Sequence, residues 1–193
     1  MEITYIENLF PYQMFKDLID VIENEDWHKL DDIEPNLELG RRSMRAHVDH
    51  VNNGTYEKFL IDKIDYLKEN GLGLRGVTLV EYNSKYGQPN LPPHFDGDVT
   101  DVIVNYQLDS NTNWGVGVNE EVYTLVDNSA VIFNPNEDIH WRPIKEFQEG
   151  EYVRMAFFRF WNKDNPSDYS DRRYGQTDPI FDKVKAIRES GTV

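Results

Sequence analysis

From residue 77 onward the sequence consists of short β-rich runs, separated by turn-forming residues and without a helical pattern between them. The runs are rich in β-branched and aromatic residues, which favour extended chain. Strands that follow one another this closely predict an antiparallel sandwich or barrel rather than parallel strands joined by helices. The five runs are 77–83, 100–109, 121–126, 129–134 and 152–161.

Helical spacing dominates the N-terminal part of the chain. Apolar residues in 11–24 recur every three or four positions, which predicts an amphipathic helix, and a second such pattern stops at Gly71. The polar stretch 26–54 between them is predicted to be irregular. The expected fold is therefore mainly β with N-terminal helices, around a double-stranded β-helix core of the jelly-roll or cupin-like kind.

The length of 193 residues fits one domain. We expect a helical cap over 1–75, a jelly-roll core over 76–161 and a C-terminal extension over 162–193. The extension is rich in Asp, Arg, Ser and Pro, with a weak helical pattern around Phe181 to Ile187.

Composition excludes several classes of function. A net charge of −15 disfavours a nucleic-acid partner, because phosphate backbones are bound through Lys and Arg. The absence of cysteine excludes disulfides, thiolate metal sites and cysteine nucleophiles. The start of the chain is acidic where a signal peptide is basic, and no apolar run approaches the roughly 18 residues of a membrane span. We therefore expect a cytoplasmic protein without a membrane partner, whose metal ligands, if any, are His, Asp or Glu.

A candidate metal site begins at His94 and Asp96, which lie between two predicted strands. Two residues apart in extended chain, their side chains project to the same side. A third ligand, His140, follows the strand 129–134, 44 residues beyond Asp96. Two imidazoles and one carboxylate leave coordination positions open, which is typical of non-haem iron(II) sites that activate oxygen, whereas zinc favours a closed tetrahedron.

The chain contains a second His-x-Asp sequence, His47-Val48-Asp49, followed by His50. It lies in the polar stretch before a predicted helix, and no ordered His and Arg follow it among strands, so 94–96 is the favoured pair. The basic island formed by Arg41, Arg42 and Arg45 is interpreted as a solvated loop, with contact to an acidic group of a substrate as the alternative. Asp98 is expected to cap the turn at Gly97 rather than to bind metal.

The strand 152–161 carries two arginines that alternation places on opposite faces. Arg154 shares its face with Phe158 and Phe160, whereas Arg159 faces the other side. An arginine among aromatic residues inside a barrel needs an anionic partner, because an unpaired buried guanidinium is costly. The carboxylate of a co-substrate meets that need through parallel hydrogen bonds, and we therefore predict that Arg154 points inward.

The order His94-x-Asp96, His140, Arg154, on short strands behind N-terminal helices, resembles the iron(II)/2-oxoglutarate-dependent dioxygenases, especially their prolyl-hydroxylase-like branch. The likeness covers roughly residues 77–161. It implies that the two histidines and Asp96 bind iron(II), and that Arg154 pairs with the distal carboxylate of 2-oxoglutarate. It further implies that Tyr82 lines the co-substrate pocket and that Asn105 and Gln107 lie on the strand that supplies another polar contact.

The resemblance implies a hydroxylase that uses oxygen, decarboxylates 2-oxoglutarate to succinate and hydroxylates a C–H bond. The expected substrate is a peptidyl residue, proline first, or a small molecule. Two other functions stay open at this point. One is a cupin-like metal enzyme that does not use 2-oxoglutarate, and the other is a non-catalytic jelly-roll binding module.

Overall fold

The computed structural model describes residues 1–24, 28–29, 44–47, 54–85, 87–169 and 179–191, with only the backbone of 28–29 and 44–47. These residues form two antiparallel sheets and four helices. No helix in the described part of the chain is long and apolar enough to cross a membrane. In chain order the elements are β1 (Thr4–Ile6), α1 (Tyr12–Asn24), β2 (His28–Lys29), β3 (Met44–His47), α2 (Thr55–Lys63), α3 (Asp65–Glu69), β4 (Gly73–Asn83), β5 (Val102–Ser110), β6 (Val116–Val118), β7 (Glu121–Tyr123), β8 (Ser129–Phe133), β9 (His140–Trp141), β10 (Tyr152–Trp161) and α4 (Pro179–Ser190).

The large sheet has seven strands in the order β1-β8-β5-β10-β4-β3-β2, and the small sheet has three in the order β7-β6-β9. Every pairing within these sheets is antiparallel. The prediction of a mainly antiparallel β protein with a few helices is therefore confirmed. The long strand β10 lies at the centre of the large sheet, between β4 and β5.

Both faces of the large sheet are buried, by two different partners. On one face, helices α1 to α3 pack over the sheet, and this cluster includes Phe158 and Phe160 of β10. On the other face, a second apolar cluster joins the large sheet to the small one and includes Met155 and Phe157. Successive side chains of β10 therefore alternate between a core beneath helices and a core between sheets.

The structure differs from the sequence-based prediction in three places. The second helical pattern is split into α2 and α3 at Ile64, whose φ of −114° and ψ of 98° are extended. The stretch 26–54, predicted to be irregular, contains β2 and β3, which extend the large sheet beyond β4. The run Trp114 to Val118, which is not among the five predicted strands, contains β6 at the centre of the small sheet. A Cβ at Gly117 would overlap the indole of Trp141, so glycine is required where the two strands meet.

Helix α4, where the sequence shows a weak helical pattern, packs against the segments that carry the candidate metal ligands. Its buried Val184 lies in a cluster with Phe95, Ile139 and Trp141. Each of these three residues is adjacent in sequence to a predicted ligand, so α4 packs against the segments that position the ligands.

Candidate metal centre and its cavity

Two chain segments that are distant in sequence meet at the predicted ligands. His94 and His140 form an antiparallel bridge, in which each backbone N–H donates to the other's carbonyl at 3.1 Å. Directly opposed residues project to the same side of a sheet. The two imidazole rings accordingly lie side by side, with 4.1 Å between their centroids.

Asp96 completes the group, and the three potential ligand atoms lie within 4.8 Å of one another. Its Oδ1 is 3.6 Å from Nε2 of His94 and 3.2 Å from Nε2 of His140. The Nδ1 of His94 lies 2.8 Å from the carbonyl of Pro92, and the Nδ1 of His140 lies 3.3 Å from that of Asp138. Because a carbonyl only accepts, each Nδ1 carries a proton, which leaves Nε2 as the ring atom of each histidine that is available to a metal.

These residues fit a divalent first-row transition metal such as iron(II). The Nε2 of His94 is buried and has no hydrogen-bond partner among the described residues, which is costly unless a ligand satisfies it. Two imidazoles and one carboxylate on one side of an ion leave its remaining positions open to other ligands. The structure thus brings the predicted residues His94, Asp96 and His140 together. Their donor atoms suit the kind of metal site that the sequence indicates.

The electrostatics of the site favour the forms that bind metal. Burial, reinforced by the neighbouring His140, lowers the pKa of His94 to about 4. Burial alone raises the pKa of Asp96, but the two imidazoles outweigh it, and that pKa lies well below its ordinary value. At neutral pH the site therefore holds a neutral His94 and an ionised Asp96.

The pKa of His94 predicts that acid destabilises the metal-free protein. Between the ordinary value of 6.5 and about 4, the unfolded chain binds a proton at this position that the folded chain does not. Stability therefore rises with pH across that window, by at most about 1.4 kcal/mol per pH unit from one group. Chemical denaturation between pH 4.5 and 7.5 should show a shallower pH dependence for His94→Gln than for wild type. Equal slopes would contradict the assignment.

The triad borders a narrow cavity between the two sheets. Its walls combine apolar side chains with a few buried polar groups, an arrangement typical of small-ligand sites. The lining residues are Tyr82, Leu91, Asp96, Ile103, Asn105, Val116, His140, Trp141, Arg142, Phe157 and Arg159.

The prediction that Arg154 points into this cavity is wrong. Its guanidinium lies outside, where Nε donates to Oε2 of Glu81 at 2.8 Å and Nη1 lies 3.5 Å from Oδ2 of Asp109. It also stacks on Tyr152, with 4.7 Å from Cζ to the ring centroid. The alternation along β10 is as predicted, but the face that Arg154 shares with Phe158 is the one beneath the helices. Arg159, on the opposite face, lines the cavity and donates from Nη1 to the hydroxyl of Thr78 at 2.6 Å.

A second cavity arginine, Arg142, did not emerge from the sequence pattern. It is 1% exposed, and its Nη1 donates to the carbonyls of Trp114 and Gly115 at 3.0 and 3.1 Å. Its Cζ lies 4.9 Å from the Trp114 ring centroid and 5.3 Å from that of Tyr82. The available signal was its spacing, because a residue two positions beyond His140 in extended chain projects to the same side.

Of the three other residues predicted to contact the co-substrate, two line the cavity and one does not. Tyr82 and Asn105 line the cavity, and the Tyr82 hydroxyl and Asn105 Oδ1 are buried without a hydrogen-bond partner in the described structure. Gln107 does not line it, and its Nε2 instead donates to the carbonyl of Leu125 at 3.2 Å. Asp98 caps the turn as expected, with Oδ1 accepting from the backbone of Thr100 at 2.8 Å.

The alternative pair lies at the edge of the described structure. The backbone of His47 is in β3, opposite Thr78 of β4, and the backbone of Arg45 is opposite Val80. Asp49, His50, Arg41 and Arg42 lie outside the described residues. Among the described residues, only the group at 94, 96 and 140 meets the geometry of a three-ligand metal site.

Solved structures similar to this chain include iron- and 2-oxoglutarate-dependent oxygenases. An oxygenase of the 2OG-Fe(II) family from Burkholderia pseudomallei aligns with a TM-score of 0.60 and 9% identity, over 86% of this chain and 88% of that one. A prolyl-4-hydroxylase from Pseudomonas putida aligns with a TM-score of 0.56 and 11% identity, over 83% and 92%. HygX from Streptomyces hygroscopicus, solved with nickel and 2-oxoglutarate bound, aligns with a TM-score of 0.56 and 9% identity, over 83% of each chain.

No protein-family model and no curated protein matches this chain. At identities of 9–11% the structural likeness shows a shared fold. The chain thus has the fold of the iron(II)/2-oxoglutarate oxygenases, which confirms at that level the resemblance inferred from its motifs.

Proposed function

We propose that this protein is an iron(II)- and 2-oxoglutarate-dependent oxygenase that hydroxylates a C–H bond of its substrate. We further propose that it is a single domain whose two facing sheets form a double-stranded β-helix. The observation that carries the proposal is a His-Asp-His triad that borders a cavity lined by two arginines. A metal ion with open positions beside a cavity with two cationic side chains suits a negatively charged co-substrate that chelates the metal.

In this proposal His94, Asp96 and His140 hold the iron. Bound iron(II), with 2-oxoglutarate and oxygen, supplies the oxidising power, and the co-substrate is decarboxylated to succinate. The chain contributes by fixing the three ligands on paired backbone segments and by enclosing the reaction between the sheets. Buried aromatic walls, including Tyr82 and Phe157, restrict the access of water to the cavity.

Arg142 is the residue that we assign to the distal carboxylate of 2-oxoglutarate. It lies two residues beyond His140, or about 7 Å away in extended chain, a spacing comparable with the length of a short dicarboxylate. The hydroxyl of Tyr82, whose ring lies against the Arg142 guanidinium, is buried without a partner in the described structure and is free to donate to the same carboxylate. A guanidinium and a phenol together provide charge and directional donors for one carboxylate.

Arg159 lies at the level of the metal ligands. Arg159 is paired across β10 and β5 with Ile103, which is paired in turn with Phe133 of β8. The Phe133 ring lies 5.2 Å from that of His140. Together with Arg142, Arg159 gives the cavity two positively charged side chains. This charge favours an anionic ligand inside a chain whose net charge is −15.

For the substrate we propose a peptidyl side chain, proline first. The prolyl-4-hydroxylase among the similar structures supports this choice, as does the likeness of the motif order to the prolyl-hydroxylase-like branch. A small molecule is the alternative, in keeping with the structure of HygX solved with hygromycin B bound.

Turnover of 2-oxoglutarate tests the proposed function. Purified protein supplied with iron(II), 2-oxoglutarate and oxygen should form succinate, and His94→Ala should abolish it. A proline-containing peptide should accelerate succinate formation and gain one oxygen atom, measured by mass spectrometry. Folded, metal-loaded protein that forms no succinate would instead support a cupin-like metal enzyme that does not use 2-oxoglutarate. Folded protein that retains no metal would support a binding module.

A further inference from the structure

We propose that Asn136 is a positioning residue for the metal centre, one that fixes the turn carrying Asp96 relative to the segment carrying His140. This inference rests on the metal site of the proposed function and goes beyond its three ligands. Asn136 does not belong to the triad and is completely buried, with 0% exposure. Its side chain forms a bridge between the two ligand-bearing segments.

The carboxamide of Asn136 binds four backbone groups of the turn that follows Asp96. Its Oδ1 accepts from the N–H of Gly97 at 2.7 Å and that of Asp98 at 3.3 Å. Its Nδ2 donates to the carbonyls of Asp98 at 3.0 Å and Thr100 at 2.6 Å. One side chain thereby forms hydrogen bonds with both N–H groups and carbonyl groups of residues 97–100.

Two further features fix this turn. Gly97 has a φ of 62°, in the left-handed region that glycine adopts readily. The backbone N–H of Asp96 itself donates to the carbonyl of Pro135, the residue before Asn136, at 3.0 Å. The loop around Asn136 therefore contacts the ligand residue directly and the turn beyond it through the carboxamide.

The same loop continues into the other ligand-bearing segment. The carbonyl of Asp138 accepts from Nδ1 of His140 at 3.3 Å, which fixes the imidazole that presents Nε2 to the metal. The Asp138 carboxylate accepts from the backbone of Asn134 at 3.1 Å and from Nδ2 of Asn119 at 2.9 Å. Residues 134–138 thus connect Asp96 and His140, and Asn136 supplies the side-chain part of that connection.

Only a neutral carboxamide satisfies this arrangement. It must accept from two N–H groups and donate to two carbonyls at once, which a carboxylate cannot do because it has no donor. Residues that orient metal ligands typically change metal affinity by about 10- to 100-fold when they are replaced. We expect an effect of this size although Asn136 does not contact the metal.

Asn128 offers a matched control in the other core. It is also a buried asparagine, 8% exposed, whose Oδ1 accepts from the Phe10 backbone at 3.0 Å and whose Nδ2 donates to the Phe10 carbonyl at 2.9 Å. It also accepts from the Tyr106 hydroxyl at 2.9 Å. Phe10 and Tyr106 belong to the cluster beneath the helices, away from the metal centre.

The test measures cobalt(II) affinity by calorimetry, together with the cobalt absorption spectrum, in the absence of 2-oxoglutarate. Asn136→Ala should weaken cobalt binding by about 10- to 100-fold and alter the spectrum. Asn128→Ala should lower the thermal stability of the metal-free protein but bind cobalt like wild type. Asn136→Ser, which is neutral and keeps a hydroxyl that can donate and accept, should show a smaller loss and serves if the alanine variant does not fold.

Wild-type affinity and spectrum in either Asn136 variant would overturn the positioning role. An equal loss of affinity in Asn128→Ala would do so too, because it would show a general effect of stability. Failure of the wild-type protein itself to bind cobalt would reject the metal site and with it the proposed function, a result distinct from both.

Discussion

Exchange of Arg142 for methionine is expected to weaken the binding of 2-oxoglutarate to the metal-loaded protein by about 100-fold. Methionine retains an apolar stem between Trp114 and Tyr82 but removes the charge. Loss of one partner of a buried, hydrogen-bonded charge pair costs roughly 2–5 kcal/mol, and each 1.4 kcal/mol corresponds to a tenfold change in affinity. Calorimetric titration of 2-oxoglutarate into manganese(II)-loaded protein, without oxygen turnover, measures the change.

Arg154→Met is the matched control for this experiment. Arg154 is the residue that the motif order suggests, but it is paired with Glu81 and Asp109 outside the cavity. Its replacement should leave the affinity for 2-oxoglutarate within about twofold of wild type, since a group outside the cavity makes no contact with the ligand. A large loss in Arg154→Met with none in Arg142→Met would reverse the assignment.

Replacement of His140 by alanine is expected to reduce metal affinity by more than 100-fold, because it removes one of three protein ligands, a larger change than the roughly 10- to 100-fold typical of outer contacts. The metal-free variant should fold, with a stability change of about 1–2 kcal/mol, in the usual range for a single substitution. Metal titration followed by calorimetry, with thermal unfolding of the metal-free protein, separates the two effects.

His47→Ala provides the comparison, because His47 begins the competing His-x-Asp sequence. Its backbone lies in β3, and the described residues place no three-ligand group around it. We expect the variant to bind metal like wild type. Loss of metal in His47→Ala, with retention in His140→Ala, would show that the other pair is the metal site.

The metal triad was predictable from the sequence because its signals are local. His94 and Asp96 project together by strand alternation, and their turn-rich surroundings place them between two strands. The order of His140 after the next strands restricts the third ligand further. In a sandwich of short antiparallel strands, segments tens of residues apart can become neighbours, so a histidine after the next strands could complete the site.

The error at Arg154 shows what alternation does not determine. Alternation correctly separates Arg154 from Arg159, but it does not say which face of the strand meets the cavity. The presence of Phe158 beside Arg154 suggested the interior, yet the large sheet is apolar on both faces because helices cover one of them. Tertiary packing decides which face of the strand meets the cavity. When both faces are buried and apolar, the local sequence does not distinguish them.

The strands β3 and β6 escaped prediction for a related reason. Residues 44–47 become a strand by pairing with β4, a partner more than 30 residues later in the chain. The central strand β6 contains Gly117, which reads as a turn residue but is needed because the Trp141 indole occupies the space of a side chain. In both cases non-local contacts override the local preference.

The anaerobic absorption spectrum of the iron(II)-loaded protein tests the central claim most directly. Addition of 2-oxoglutarate should produce the visible charge-transfer band of an iron-chelated 2-oxo acid, and the band should be absent in His94→Ala and in His140→Ala. Folded, iron-loaded wild-type protein that shows no band at saturating 2-oxoglutarate would contradict the assignment of the cavity to this co-substrate.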